Sequence, residues 1–435
     1  MSQPTMTQVL DTARWGRSHW KLFTVVALNY MLDGVMFSIA PLVVFLISPE
    51  FYPIVFAANL LAETTGALAL GYLADRYGRR VMFTVSLVIE ALALILLFPL
   101  HRDLTALALL TSLMTFGIGG EFGAAYSAIA ELSPAKHRGK ALMMATNFWN
   151  IGAAVIAGQA LVFSAIYADV AVQVEYLLAS SLGTLVIVGF TRVAFPESPR
   201  WLLVRGREGE AVRLVRRMTG YADEILAVVK EAKAATLAEA FAKYRFRLAV
   251  LAVITVAQYV TYGMMAYYSP YAPGFAFGVE SAPLVVFTAN LGASAGAFLL
   301  LPAIDKARRK TVFASFLGGF ISSLTVLASH ELASATLFYT SLFTALVFSE
   351  WAWASLSALQ SELFPTGVRA SLVGFLTSLT GISGASVVLL ETYMTAQLFL
   401  ALAAVIWLAG LASAAAWLVK GVESAGKPVE ELEIT

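Results

Sequence analysis

The 435-residue chain has no cysteine, and charged residues make up only 13% of it. Without cysteine, the sequence excludes disulfides, thiolate metal sites and cysteine nucleophiles. Its formal net charge of +1 lacks the strong positive balance that nucleic-acid binding favours. Hydrophobic residues make up 59% of the chain, more than a soluble protein can keep away from water. Composition therefore predicts an integral membrane protein.

Long apolar runs recur along the whole chain. A helix needs about 20 mostly apolar residues to cross a bilayer. The first run is too long for a signal peptide and lacks a small-residue cleavage site, so we interpret it as a membrane span. We predict an all-α protein with twelve transmembrane helices, over residues 20–46, 52–74, 80–100, 104–130, 140–166, 172–195, 247–270, 281–303, 311–329, 333–360, 369–390 and 394–419.

One polar interruption is much longer than the others. Residues 197–246 combine charged residues with apolar positions at helical spacing, which is typical of an amphipathic segment at a membrane surface. This linker separates two predicted six-helix bundles, residues 1–196 and 247–420, and residues 421–435 form a tail. If residue 1 lies in the cytoplasm, every lysine and arginine except Arg102 falls at a cytoplasmic helix end or loop. The positive-inside rule therefore predicts a multi-pass protein of the cell membrane with a cytoplasmic linker, tail and both termini.

Three short motifs occur twice in the same order. The motif Glu-Leu-x-Pro-x-x-x-Arg begins at Glu131 and again at Glu362, 231 residues later. An aspartate followed by basic residues begins at Asp75 and, 230 residues later, at Asp305. A weaker pair places Glu197 and Glu423 226 residues apart. Repeated halves in an apolar chain are typical of secondary transporters.

The segment 71–80, Gly-Tyr-Leu-Ala-Asp-Arg-Tyr-Gly-Arg-Arg, resembles the signature between spans two and three of the major facilitator superfamily. Residues 196–202, Pro-Glu-Ser-Pro-Arg-Trp-Leu, resemble the sugar-porter and organic-ion branch of that superfamily, and residues 362–369 are more similar to niacin-type carriers. The resemblance implies a twelve-helix fold that works by alternating access. It also implies a cytoplasmic gate of carboxylates paired with arginines across helix ends, formed by Asp75, Arg79, Glu131, Arg138, Glu197, Arg200, Asp305, Arg309, Glu362, Arg369 and Glu423. The alternative is that these basic residues only set topology and that their partners are incidental.

The sugar-porter pattern in span seven is incomplete. Tyr267 and Gln258 are present, but Ala257, Thr261 and Gly263 replace other members of the pattern. Sugar recognition needs many hydrogen-bonding side chains, so a sugar is the second choice of solute.

Five carboxylates fall inside predicted spans: Asp33, Glu63, Glu90, Glu121 and Glu350. Ionisable residues at membrane depth are costly and usually functional. No lysine, arginine or histidine is expected at mid-membrane, so several of these acids should remain unpaired and carry protons. The superfamily resemblance places spans one, four, seven and ten around a central cavity. We therefore assign proton coupling or solute binding first to Asp33, Glu121 and Glu350 and then to Glu63, with a hydrogen-bonded structural acid as the alternative.

Aromatic and amide side chains accumulate in the same spans. They suit a small, partly apolar organic solute, and we predict that the solute contacts Tyr30, Asn147, Trp149, Asn150, Gln258, Tyr259, Tyr262, Tyr267, Asn290 and Trp353. An acid-rich cavity without a cation disfavours a permanently anionic solute unless protons enter with it. A cationic or neutral solute fits more directly.

We predict a monomeric secondary active transporter that moves a small organic ion or related metabolite by proton-coupled symport. The alternatives are a proton-coupled sugar symporter, a proton antiporter that exports organic cations or drugs, and a transporter-like nutrient receptor. Its predicted partners are the solute, protons and the lipid bilayer, without a nucleic acid, metal or cofactor. The sequence contains no nucleophile–base–acid set near the membrane, so an enzyme is not expected.

Overall fold

The computed structural model describes the backbone of residues 4–222, 237–364 and 366–425. Within these ranges it describes all side chains except those at positions 75, 237, 238, 361 and 366–371. Twelve of the described helices are long and apolar enough to cross a membrane, which confirms the predicted fold class. In chain order, α1–α12 are Arg17–Ile47, Tyr52–Tyr77, Arg79–Leu100, Leu104–Leu132, Ala135–Ile166, Val170–Arg192, Arg245–Tyr271, Ala282–Leu300, Arg308–Glu331, Ala335–Glu362, Thr366–Glu391 and Ala396–Lys420.

Successive helices run in opposite directions, which gives the bundle two ends. We call the end where α1 begins the basic end and the other the opposite end. Polar caps start three helices at the opposite end: Asp103, Asp169 and Thr395 accept the backbone N–H groups of the first turns of α4, α6 and α12. Such caps satisfy backbone donors that the helix itself leaves unpaired, so short polar loops suffice to end each span.

The first helix of each half departs from α-helical geometry near the opposite end. In α1, Ala40–Val44 form a π-helical segment that contains Pro41. In α7, Met264–Tyr268 form a second π-helical segment, and Ser269–Tyr271 continue as a 3₁₀ turn that contains Pro270. Proline has no N–H to donate, so the local hydrogen-bond ladder must shift. Single π-helical turns often occur at functional sites.

In the described ranges, four short α-helices lie outside the twelve spans: Met6–Thr12, Pro199–Val204, Glu208–Thr219 and Leu237–Lys243. Glu208–Thr219 buries Ala211, Val215 and Met218 and keeps its charged residues on the other face, as an amphipathic helix does. The apolar face packs on the helix Met6–Thr12. The described part of the predicted linker is therefore amphipathic, and residues 223–236 lie outside the described residues.

Two groups of six helices pack together, α1–α6 and α7–α12. Their main contacts run along α5 with α8 and along α2 with α11. At Gly381 in α11, an added Cβ would lie 1.6 Å from the hydroxyl of Thr64 in α2, so only glycine permits this approach. Small residues allow close helix packing in membrane proteins. Side chains that lie between the α5–α8 contact and the α2–α11 contact are therefore at the boundary of the two groups.

Candidate functional site

A buried ion pair lies inside the first six-helix group. Glu121 in α4 is fully buried, and Arg192, the last residue of α6, donates to both of its carboxylate oxygens, one of them at 2.7 Å. Ser86 in α3 donates to the same carboxylate at 2.7 Å, and the amide of Asn29 in α1 also donates to it. Four helices thus converge on one carboxylate.

The expectation that no cation lies beside the buried acids was wrong. Arg192 closes the sixth span at the basic end, but its guanidinium points back into the helix group. There it donates to the backbone oxygen of Phe83 at 2.5 Å and lies 4.3 Å from the centre of the Phe83 ring. Long arginine side chains commonly place their charge far from their own backbone, which is why assigning Arg192 to a helix end misplaced its charge.

Two further carboxylates join this pair, and together Asp33, Glu90, Glu121 and Arg192 form what we call the acid cluster. Ligand oxygens of the three acids lie within 4.8 Å of one another, and Arg192 lies 3.9 Å from Glu90. Asp33 accepts a hydrogen bond from Asn29 at 3.0 Å, but its second oxygen and both oxygens of Glu90 accept no hydrogen bond from the described residues. If all three acids were ionised, the cluster would bury two uncompensated negative charges, which is strongly unfavourable.

The other two predicted acids bind across the boundary between the two groups. Glu63 in α2 accepts a hydrogen bond from Tyr259 in α7 at 3.2 Å. Glu350 in α10 accepts one from Asn150 in α5 at 3.0 Å, and its second oxygen has no described partner. Each acid is therefore held by a residue of the opposite group, and these bonds must break if the groups separate.

Five predicted residues form one hydrogen-bonded set, the central network: Asn147, Asn150, Tyr262, Asn290 and Glu350. Asn150 donates to Asn147 at 3.3 Å, and Tyr262 lies 2.7 Å from the Asn290 oxygen and 3.3 Å from the Asn150 oxygen. Asn147 donates in turn to Ser294 of α8 at 3.2 Å. Residues from both groups therefore contribute polar groups to a single central layer.

Aromatic rings border this network. Trp149 is half-buried, with its ring centre 5.1 Å from Phe37, and Phe37 lies 5.5 Å from Tyr267. Tyr267 also meets the hydroxyl of Ser38 at 3.4 Å. These contacts join α1, α5 and α7 beside the polar layer.

Three other predicted contact residues lie in different surroundings. Gln258 donates to Ser349, and its own oxygen has no described partner. Tyr30 stacks 6.1 Å from Phe122 inside the first group, and Trp353 is half-buried in α10. The structure thus gathers most, but not all, of the predicted contact residues around the central network.

The basic end contains the same arrangement twice. Glu197 accepts the backbone N–H groups of Arg79 and Arg80 at the start of α3, and Arg79 pairs with Glu131 at 2.5 Å. In the second group, Glu423 accepts the backbone N–H groups that start α9, and Arg308 pairs with Glu362 at 2.9 Å. A carboxylate at a helix N-terminus complements the helix dipole, so each set ties three helix ends together.

The arginine partners differ in part from those predicted. Glu362 pairs with Arg308, whereas Arg309 donates to the backbone oxygen of Leu418. The difference arises because the motif repeat aligns Arg79 with Arg309, while the residue that starts α9 and points at the carboxylate is Arg308. Arg138 pairs with Asp11 at 2.5 Å.

Three gate residues remain to be placed. Arg200 lies close enough to Glu131 to favour its negative charge. The side chains of Asp75 and Arg369 lie outside the described residues.

Asp305 marks a contact between the groups at the basic end. A Cβ added at Gly139 in α5 would lie 2.3 Å from its carboxylate oxygen. Burial raises the pKa of Asp305, although the nearby charges of Arg308, Lys140 and His137 act in the opposite direction. The described residues at this end are thus in contact across the group boundary.

Twelve spanning helices in two similar groups, with buried carboxylates and amides bonded across the boundary, define a membrane transport protein. The sequence model of the family described as "Sugar (and other) transporter" matches residues 48–435. The chain therefore belongs to this family, which confirms the family resemblance seen in the motifs.

Several named relatives cover most of the chain. It is 27% identical to the inner membrane metabolite transport protein YgcS of Escherichia coli, over 86% of this chain and 85% of that protein. It is 24% identical to the niacin transporter NiaP of Acinetobacter baylyi, over 96% and 97%. It is 28% identical to the minor myo-inositol transporter IolF of Bacillus subtilis, over 75% and 71%.

Solved structures share the architecture. The proton:xylose symporter XylE, of the major facilitator superfamily, superposes with a TM-score of 0.74 at 17% identity, covering 95% of this chain and 98% of that one. A partially occluded inward-open form of XylE from E. coli gives a TM-score of 0.75 at 17% identity, covering 94% and 99%. These matches confirm the major facilitator fold.

Proposed function

We propose that the protein couples the uptake of a small organic solute to the entry of protons, by alternating access across the cell membrane. The observation that carries this proposal is the acid cluster, which buries three carboxylates with one arginine. The distribution of lysine and arginine supports a cytoplasmic location for the basic end and both termini. The names of the relatives, a niacin transporter and proton-coupled sugar symporters among them, support the same class of activity.

The hydrogen bonds of the acid cluster support an assignment of the protons to particular acids. Glu121 accepts hydrogen bonds from Arg192, Ser86 and Asn29, so a negative charge on it is compensated by one cation and two neutral donors. Asp33 has one donor and one oxygen without a described partner, so its neutral form is the less costly one when buried. Glu90 is buried without a close donor and is neutral for the same reason. We choose Asp33 rather than Glu90 as the proton carrier because its helix, α1, also contacts the aromatic rings beside the central network.

Helix α1 connects the acid cluster to the central network. Gly34, which follows Asp33, packs against the backbone of Trp149 so closely that an added Cβ would lie 2.1 Å from its carbonyl oxygen. One turn further, Phe37 and Ser38 contact Tyr267 of the second group. A change of charge at Asp33 would shift α1, which contacts residues beside the central network. The movement of α1 therefore links proton binding to solute binding.

The central network supports a neutral or cationic solute. Its amides and tyrosine hydroxyls can exchange hydrogen bonds with a ligand, and the unpaired oxygens of Glu350 and Gln258 require donors. The donor requirement favours an organic solute that carries N–H groups or a positive charge. A sugar is the second candidate, because Asn150, Asn290 and Gln258 could bind several hydroxyl groups.

The test is transport by purified protein in proteoliposomes. Candidate solutes are first selected by thermal stabilisation from nicotinate, nicotinamide, the cation 1-methylnicotinamide, myo-inositol and xylose. We expect a pH gradient, acidic outside, to drive accumulation, and Asp33→Asn to abolish accumulation while keeping solute exchange. Glu50→Gln, at an exposed acid, is the control and should transport normally. Full gradient-driven accumulation by Asp33→Asn would refute the assignment of the proton.

The same vesicles separate the alternatives. Symport requires accumulation when the outside is acidic, whereas proton antiport requires it when the inside is acidic. Solute binding without any counterflow would instead identify a receptor.

A further inference from the structure

An aromatic cluster closes the opposite end of the bundle. It consists of Phe45, Tyr52, Phe56, Tyr268 and Tyr271. The ring of Tyr271 lies 4.3 Å from Phe45 and 4.4 Å from Tyr52, and Phe56 lies 5.5 Å from Tyr268. The Tyr271 hydroxyl also donates to the backbone oxygen of Pro41. Both π-helical segments end at this cluster, and α1 and α2 of the first group meet α7 of the second.

A carboxylate that the sequence analysis did not single out lies beside this cluster. Glu391, the last residue of α11, is only 1% exposed, and one of its oxygens has no described partner. The predicted eleventh span ended at residue 390, so Glu391 counted as a loop residue. The structure instead buries it at the closed end.

The groups that face Glu391 do not compensate a negative charge. Helix α2 contributes Tyr52, and α7 contributes Tyr268 and Tyr271. Among the described residues, no lysine, arginine or histidine interacts with the Glu391 carboxylate. The first turn of α12 brings Gln397 to this end, but its amide donates to Glu331 instead. An ionised carboxylate is strongly unfavourable in such a site, whereas a protonated one is tolerated.

We propose that Glu391 is a second proton-binding site, separate from the acid cluster, and that it takes its proton from the extracellular solution when this end closes. In the open state the carboxylate is hydrated and ionised, because separation of the tyrosines exposes it. Closure buries it and requires the proton. Since one proton is taken up per closure, the ratio of closed to open molecules should change up to tenfold for each pH unit above the point where the open state ionises.

The site does not depend on the proposed proton carrier. Glu391 lies in the second group, and Asp33, Glu90, Glu121 and Arg192 lie in the first. The two assignments can therefore fail separately. Accessibility of the closed end tests Glu391, and gradient-driven accumulation tests Asp33.

The absence of cysteine makes the accessibility experiment direct. Ser38→Cys places one thiol in α1 beneath the aromatic cluster, at a position that is fully buried here. Right-side-out vesicles are treated with a membrane-impermeant thiol reagent at pH 5.5 and pH 8.0. Thr105→Cys, at the exposed start of α4, corrects for the reactivity of the thiol itself.

We expect Ser38→Cys, after this correction, to react at least fivefold faster at pH 8.0 than at pH 5.5. Adding Glu391→Gln or Glu391→Met should give slow reaction at both values, since either side chain can stay buried without a proton. Glu50→Gln, at an exposed acid of the same end, should leave the pH dependence intact.

Three results would overturn the proposal. One is a rate without pH dependence, including no reaction at either pH. Another is unchanged pH dependence in both Glu391 variants. The third is pH dependence that disappears in Asp33→Asn but persists in Glu391→Gln, which would assign the effect to the acid cluster.

Discussion

Arg192 determines how the buried acids of the first group behave. With this arginine, Glu121 is an ion-pair partner, and the uncompensated charge belongs to Asp33 and Glu90. Removing one partner of a buried pair leaves an uncompensated charge in a low-dielectric site.

Arg192→Met should therefore destabilise the protein by about 3–5 kcal/mol, as loss of one partner of a buried ion pair does. Arg192→Met combined with Glu121→Gln should recover much of this loss, because neither charge remains. Thermal unfolding in detergent compares the three proteins. The matched control is Arg102→Met, which removes an exposed pair with Glu175 and should cost about 0–1 kcal/mol. Equal losses at the two arginines would contradict the role of burial.

Glu350 should decide the charge of the preferred solute. Nicotinate, nicotinamide and 1-methylnicotinamide share one ring but carry a negative, no and a positive charge, so their relative affinities isolate the effect of charge. We expect the cation to bind tightest, and Glu350→Gln to reduce its advantage over the neutral compound by tenfold or more, or about 1.4 kcal/mol. Competition against a labelled solute measures this. A preference for nicotinate, or an unchanged ratio in Glu350→Gln, would reject the prediction.

Asp305 should make the closed basic end sensitive to pH. Burial raises its pKa in the closed contact above that of the exposed side chain, so the closed contact gains stability as pH falls and loses it as pH rises. A thiol introduced at Met143, which packs near Ile304 in the same contact, should react faster at high pH after correction for the ionisation of the thiol itself. Asp305→Asn should remove this slope, whereas Glu208→Gln, at an exposed acid, should not. A slope that persists in Asp305→Asn would assign the effect to another group such as His137.

At this scale the sequence predicts residue types better than partners. The acids at mid-span and the amides of α5 are visible in the sequence, and the structure brings Asn147, Asn150 and Glu350 together. Arg192 and Glu391 were missed for a common reason. Both lie at the last residue of a helix, where span boundaries are least certain and side-chain direction decides whether the charge is buried.

At the scale of helices, contact between the groups depends on small residues. Gly381 lets α11 approach α2 at Thr64 and the backbone of Leu60. A Cβ at Gly381 would lie 2.8 Å from the Cβ of Thr64 and 3.0 Å from the backbone oxygen of Leu60. Rotation of the Thr64 side chain moves neither atom, so the helices would have to separate.

Gly381→Val should therefore weaken the contact between the groups and reduce transport at least tenfold while the protein still inserts. Gly183→Val in α6 is the control, because an added Cβ there meets nothing within 4 Å. Uptake in proteoliposomes and elution from a sizing column give the two readouts. Normal uptake by Gly381→Val would show that this contact is not essential.

Helix type and number were predictable because hydropathy alone defines a membrane span. The π-helical segments of α1 and α7 were not predicted, although Pro41 and Pro270 mark their positions. A proline reports that the helix ladder is interrupted, but tertiary packing decides whether the helix kinks, widens or tightens.

For the whole molecule, the sequence repeats carry the most information. The motifs at Glu131 and Glu362 occupy equivalent places, each paired with the arginine that starts the preceding helix. The Arg79–Glu131 pair lies within the first six-helix group and the Arg308–Glu362 pair within the second. Both pairs can therefore stay intact while the groups move. Contacts between the groups differ at the two ends: Gly139 meets Asp305 at the basic end, and Phe45 meets Tyr271 at the opposite end.

Alternating access requires these two contacts to open in turn, which double cysteine variants can test in a chain without native cysteine. A cross-link between Gly139→Cys and Asp305→Cys should stop uptake, and so should one between Phe45→Cys and Tyr271→Cys. Cleavage of the cross-linking reagent should restore uptake. Arg102→Cys with Glu175→Cys is the matched control, since that exposed pair joins the turn between α3 and α4 to α6 within one group. It should cross-link without loss of transport, because each group moves as a unit. Uptake that survives either link between the groups, or stops with the link inside one group, would mean that the helices move in a different way.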